Sequence, residues 1–193
     1  MRLVYSFILF AVLLSNSMRA QNKNEPLRYL ALGDSYTIGE SVAEGERWPV
    51  QLAEALTQKG IRIAKPEIIA VTGWRTDDLM NGISAARPRE DYDLVSLLIG
   101  VNNQYQGKPI SEYELEFEDL LKAAIHYSGG KRERVFVVSI PDYGYTPLEN
   151  PSWTKSPKPW MNLMPQIKKL LKSMVLRTFI LQTSPDKDLR IQN

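Results

Sequence analysis

Four short, almost uninterrupted apolar runs punctuate the chain between residues 28 and 140. They are Arg28 to Leu32 (RYLAL, closed by Gly33), Glu67 to Val71 (EIIAV), Asp93 to Ile99 (DLVSLLI) and Arg134 to Ile140 (RVFVVSI). Runs of this length without polar alternation are what strands buried on both faces require, as in a parallel sheet. Helical spacing fills the gaps between them. Trp48, Leu52, Ala55 and Leu56 share one face of a helix predicted over Glu46 to Lys59, and Gly60 stops it. Thr76 to Ile83 predicts a short helix. Ser111 to Tyr127 predicts a longer one, with Ser111 and Glu114 in the spacing of a capping box. Strands alternating with helices imply βαβ units and a three-layer α/β domain around a parallel sheet. The chain shows no internal repeat and no low-complexity tract.

In open parallel sheets, ligands bind at the carboxyl ends of the strands. The segments following the four strand ends are GDSYTIG, TGWRT, GVNNQYQG and PDYGYTP. The first three each carry a residue suited to acyl chemistry. Ser35, in Gly33-Asp34-Ser35-Tyr36, can stand on a tight turn above the sheet, with Gly33 permitting close packing or a positive φ. Gly73 can bring its backbone N–H up to a ligand oxygen. Asn102, behind Gly100, offers a side-chain amide of the kind that stabilises an oxyanion. Taken singly, each has a plainer reading: a helix cap for the serine, turn residues for the glycine and asparagine.

Their order and spacing together resemble the SGNH (GDSL-like) hydrolase family over about residues 28 to 147. That resemblance implies a flavodoxin-like three-layer fold and ester hydrolysis through an acyl-enzyme. Ser35 matches the nucleophile, and Ser35, Gly73 and Asn102 match the three oxyanion donors. Gly33, Asp34 and Gly100 match supporting positions, Asp34 bracing the loop rather than acting as a base. No metal and no organic cofactor is implied, and the partner is a small-molecule ester. The family also carries a fourth block, D-x-x-H, whose histidine activates the serine. No D-x-x-H occurs in this sequence. Its one histidine, His126, falls within the predicted helix Ser111 to Tyr127, away from any strand's carboxyl end.

Composition narrows the alternatives. The 193 residues suffice for one α/β domain, with 44% hydrophobic and 24% charged residues and no cysteine, so disulfides and thiolate chemistry are excluded. Residues 1–20 read as an export signal: Arg2, an apolar run from Leu3 to Leu14, then small residues with cleavage after Ser17 or Ala20. The apolar run is shorter than the roughly 20 residues a bilayer requires. The expectation is a periplasmic or extracellular protein without stable membrane insertion after cleavage. Residues 21–147 hold 14 basic and 19 acidic side chains, which argues against nucleic-acid binding. No G-x-G-x-x-G or P-loop follows the first strand, which argues against a nucleotide binder. A non-catalytic binding module that keeps the crevice and lacks the base is the competing reading.

Beyond Pro147 the pattern changes. Residues 148–193 carry 8 basic and 3 acidic residues, and prolines fall at 151, 157, 159 and 165, where a helix is expected. The expectation is that the last strand and helix of the fold are missing or garbled in this tail. A one-nucleotide frame slip near Leu148 accounts for the change. In the other frame the pairs Trp153-Thr154 and Trp160-Met161 each force an Asp, Met161-Asn162 a Glu, Met164-Pro165 an Ala and Met174-Val175 a Gly, with no forced stop. Filling the free bases permissively yields an amphipathic helix, a Tyr-Gly stop and a strand. The alternative is a natural divergent tail, in which Lys168 to Ile180 forms a basic amphipathic surface helix. Resequencing the gene tests the slip. The expected result is a shifted frame that continues into codons for D-x-x-H; an uninterrupted frame without them overturns it.

Overall fold

A computed structural model of the chain describes residues 25–140 and the backbone of the strand at 177–179. The export segment and the PDYGYTP segment from residue 141 lie outside the described residues; of the helix expected over Lys168 to Ile180 in the divergent reading, residues 177–179 form a strand instead, and the rest lies outside the described residues. The elements in order are β1 (Tyr29–Gly33), α1 (Ser35–Ile38), a 3₁₀ turn (Glu44–Glu46), α2 (Trp48–Gln58), β2 (Glu67–Ala70), α3 (Thr76–Ala86), β3 (Leu94–Leu98), α4 (Val101–Tyr105), α5 (Ile110–Tyr127), a second 3₁₀ turn (Arg132–Arg134), β4 (Val135–Val138) and β5 (Arg177–Phe179). All neighbouring strands pair in parallel, in the order β2-β1-β3-β4-β5. This is the doubly wound order in which the chain reverses direction across the sheet between β1 and β3.

Strand alternation divides the core into two layers. Leu30, Leu32, Val95, Leu97, Val135 and Val137 share one face and join Leu79, Ile83, Phe117, Leu120, Leu121 and Ala124 of α3 and α5 in one buried cluster. The intervening residues point the other way. There Tyr29 packs on Phe136, and Phe136 meets Trp48 of α2 edge-on. Helices therefore cover both faces of the sheet, and the three-layer α/β architecture is the observed one. Each fully buried Leu, Ile or Phe contributes about 1.5–3 kcal/mol relative to its exposed state. No helix among the described residues is long and apolar enough to cross a membrane.

Three local departures from the sequence pattern have physical causes. The long helix starts at Ile110 rather than behind Ser111. Pro109 takes the cap position in an extended conformation, and its carbonyl accepts the N–H groups of Glu112 and Tyr113. Ser111 is thus inside the first turn and exposed, and the expected capping box does not form. Helix α3 runs three residues past Ile83, ending at Arg87 in the left-handed region. The sheet also continues beyond β4. Val138 pairs with Phe179, Val137 with Thr178 and Phe136 with Arg177, so the tail supplies a short fifth strand where none was expected.

The second face holds a polar contact that the apolar pattern obscures. Ser96 lies fully buried in the middle of β3, and its hydroxyl meets the Tyr29 hydroxyl at 2.9 Å. Burial pushes the Tyr29 phenol well above its ordinary pKa, with the Ser96 contact opposing. Tyr29→Phe leaves the Ser96 hydroxyl without this partner and should cost about 1–3 kcal/mol of unfolding free energy, measured by urea denaturation. A variant as stable as the parent would show that the pair contributes nothing net.

Candidate active site

Strand register sets the site. Gly33 pairs with Ala70 of β2 on one side and with Leu98 of β3 on the other, so three strands end level. Ser35, Gly73 and Asn102 follow these ends by two, three and four residues, on adjacent loops at the point where the strand order reverses. Direct contacts bind the loops in pairs. Thr72 donates its hydroxyl to Glu40, joining the second loop to the first. Asn102 Nδ2 donates to the Trp74 carbonyl at 2.9 Å, joining the third loop to the second.

Each loop has a local reason for its shape. Ser35 opens a single helical turn, so its N–H has no helical acceptor. Asp34 caps that turn by accepting the Tyr36 N–H at 3.1 Å, and Gly39 closes it in the left-handed region. Gly33 is there for closeness rather than for positive φ. A Cβ on it would lie 2.1 Å from Thr37 Oγ1 and 2.5 Å from the Leu98 carbonyl oxygen. Gly73 has φ +83° with open space in front of it, so its backbone conformation demands the glycine. Gly100 meets both demands: φ is +129°, and a Cβ would sit 2.4 Å from the Tyr113 ring. Tyr113 is buried beneath it and donates its hydroxyl to the Ile99 carbonyl at 3.2 Å. Asn102 spends one amide hydrogen on the Trp74 carbonyl, and its second has no acceptor among the described residues.

A family model described as GDSL-like Lipase/Acylhydrolase matches residues 31–166. The chain belongs to the GDSL-like lipase/acylhydrolase family. The match runs beyond Pro147, where the sequence pattern changes. A search of curated proteins returns no match. Among solved structures, the chain is similar to AlinE4, described as an SGNH-hydrolase family esterase, with a TM-score of 0.61 and 19% identity over 89% of each chain. TesA gives a TM-score of 0.61 and 14% identity over 78% of this chain and 76% of its own. A GDSL-like lipase from Bacteroides thetaiotaomicron gives 0.56 and 12% over 86% and 75%. At these identities the likeness concerns the fold.

His126 lies elsewhere. Its Nε2 is 3.2 Å from Glu90 Oε1 and its side chain is 59% exposed. It occupies the last turn of α5, whose Tyr127 carbonyl accepts the Tyr92 N–H just ahead of β3. That is the amino edge of the sheet. Most of the length of α5 separates His126 from Tyr113 beneath the Gly100 turn, roughly 20 Å along the axis. The structure thus keeps the one histidine away from Ser35.

Residues that the sequence pattern did not single out hold the loops. Asn103 is buried, accepts the Thr76 N–H on Oδ1 at 3.2 Å and donates Nδ2 to Thr76 Oγ1 at 2.6 Å. Arg75 grips both oxygens of Asp77 at 2.9 and 2.7 Å and reaches Gln106 Oε1 at 2.7 Å, a second tie between the second and third loops. The hydrogen bond from Arg75 holds the Asp77 carboxyl below its usual range. The doubled asparagine after β3 was the only hint of these ties in the sequence.

Asp34 is the electrostatic cost of the site. It has no exposed surface, and its Oδ2 has no hydrogen-bond partner among the described residues. Burial raises its pKa to about 7, opposed by the Tyr36 N–H. A carboxyl raised in the folded state favours folding fully below the unfolded-state pKa. That contribution is lost as pH climbs through about 4 to past 7. Asn at this position keeps the cap acceptor and does not titrate. Asp34→Asn should therefore gain stability relative to the parent as pH rises from about 5 to about 8, by about 2–4 kcal/mol. Thermal or urea melts at the two pH values measure it, and a difference independent of pH overturns the assignment.

Proposed function

We propose that Ser35 is the nucleophile of an ester hydrolase for short acyl or carbohydrate esters, working through an acyl-enzyme. The observation carrying this reading is the convergence of three contact-linked loops at one sheet edge. In it, Ser35 Oγ attacks the ester carbonyl and the developing oxyanion takes hydrogen bonds from the Ser35 and Gly73 N–H groups and the remaining Asn102 amide hydrogen. Collapse expels the alcohol and leaves an acyl group on Ser35, which water then hydrolyses. The protein is proposed to act outside the cytoplasm, following the export segment, on small-molecule esters rather than nucleic acid.

A serine hydroxyl attacks poorly until a neighbour takes its proton. His126 is too distant to do so, and the proposal includes a slow chain as it stands. An out-of-frame tail from residue 148 would explain the missing base. Two observations weigh against that explanation: the family match through residue 166 and the pairing of β5 with β4. A non-catalytic ligand-binding module of the same fold is the second reading, favoured by the position of His126.

The chain is expected to hydrolyse p-nitrophenyl acetate only slowly. Loss of the base in serine proteases leaves a residual ~10³–10⁴-fold over water. A fluorophosphonate should label Ser35 slowly, and Ser35→Ala should abolish the label. In a form with its base supplied, Asn102→Ala should lower kcat by roughly 10²–10³-fold. Turnover at an ordinary enzymatic rate that Ser35→Ala stops would mean another base is present. Complete absence of label on Ser35 would favour the binding module.

A further inference from the structure

We propose that Glu116, on α5 and outside all three strand-end loops, is a positioning residue for the oxyanion donors. The inference rests on the reading of Gly73 and Asn102 as those donors. Its basis is a hydrogen-bonded relay with a single polarity, running from two buried side chains to the half-buried Glu116. Thr76 and Asn103 are both buried. Asn103 commits its Oδ1 to the Thr76 N–H at 3.2 Å, so its NH₂ group faces Thr76 Oγ1 at 2.6 Å and donates there. A hydroxyl carries one proton. The Thr76 hydroxyl therefore gives that proton to its other partner, Glu116 Oε2. Glu116 Oε2 accepts that proton and leaves the Thr76 oxygen open to the Asn103 amide, so the relay runs from Asn103 to Thr76 to Glu116.

The relay reaches the site through chain adjacency. Asn102 ties to the Trp74 carbonyl while Asn103 ties to Thr76, so two consecutive asparagines hold positions 74 and 76 of the facing loop. Gly73 immediately precedes Trp74. The spacing between the Gly73 N–H and the Asn102 amide thus depends on the hold of Asn103 on Thr76, in which the Thr76 N–H orients the amide and Glu116 draws the hydroxyl proton away so that Oγ1 can accept from Asn103. The chemistry also says why residue 103 must bring a donor. An aspartate there would place a second acceptor against a hydroxyl whose proton is already committed.

Backbone hydrogen exchange in segments 71–79 and 101–106 tests this on the full chain, with Asn103→Asp, Glu116→Gln and the double variant. Asn103→Asp should speed exchange in both segments about ten-fold or more, as losing a hydrogen bond beside a charged group does. Glu116→Gln should stay within roughly two-fold of the parent, because its amide oxygen still accepts the Thr76 proton. The double variant should return close to the parent. In it the amide introduced on α5 donates to Thr76 Oγ1, and Thr76 gives its proton to the new carboxylate, reversing the relay. A merely structural role for Glu116 gives no such rescue. Parental exchange in Asn103→Asp, or a double variant exchanging as fast as Asn103→Asp alone, overturns the proposal. If Asn103→Asp does not fold, recovery of folded protein in the double variant is the same rescue, and its failure overturns the proposal equally. Fluorophosphonate labelling of Ser35 in the same samples separates the two readings. Rescue without any labelled Ser35 sinks the hydrolase and not the relay; labelled Ser35 without rescue sinks the relay alone.

Discussion

Everything at the site depends on three parallel strands ending level. Gly33 pairs with both Ala70 and Leu98, which places β1 between β2 and β3 with no stagger at their carboxyl ends. Because the strand order reverses there, the loops leaving β1 and β3 diverge to opposite faces and leave a crevice between them. A shift of one residue in either pairing would exchange the two faces of a strand and bury the wrong side chains. The hydrophobic requirement of the core and the alignment of the loops are therefore one constraint. Leu30, Leu97 and Val137 on one face, with Tyr29, Ser96 and Phe136 on the other, set the register that brings Ser35, Gly73 and Asn102 to neighbouring positions.

Level strand ends do not by themselves hold the loops that leave them. Here the loops are held by polar ties: Glu40 to Thr72, Asn102 to Trp74, Asn103 to Thr76, and Arg75 to Gln106. Two of these come from adjacent asparagines, and the buried one is worth more because its groups would otherwise be desolvated without partners. Beneath them Tyr113 fills the space that Gly100 leaves open and ties to the last carbonyl before it. Asp34 runs the other way. It caps the serine turn while enclosed in a setting that favours its neutral form, so the turn is shaped at some cost to folding near neutral pH.

Much of this was legible in the chain. The four apolar runs marked β1 to β4, and their lack of alternation declared burial on both faces and a parallel sheet. Helical spacing located α2, α3 and α5, because amphipathic periodicity depends on nearest neighbours along one segment. Ser35, Gly73 and Asn102 stood out through their order and spacing after three successive strands, since each alone reads as an ordinary cap or turn residue. The short turns α1 and α4 left no signal, since one turn of helix has no periodicity to read. Nor did the true start of α5, where Pro109 displaced Ser111 as the cap.

What the linear pattern could not hold is anything that depends on two distant segments meeting. Thr76, Asn103 and Glu116 are unremarkable in order, far apart along the chain, and form a relay only because α5 packs beside α3 over the same sheet face. The distance of His126 from Ser35 follows from the direction of α5, which carries its last turn to the amino edge of the strands. The fifth strand shows the same limit. Arg177 to Phe179 does not read as a buried strand, and its place beside β4 comes from backbone pairing with an edge that β4 leaves open. Local sequence sets which segments are strand or helix through side-chain burial and backbone preference. Which polar groups meet is set by register and helix direction, and those exist only once the segments have packed.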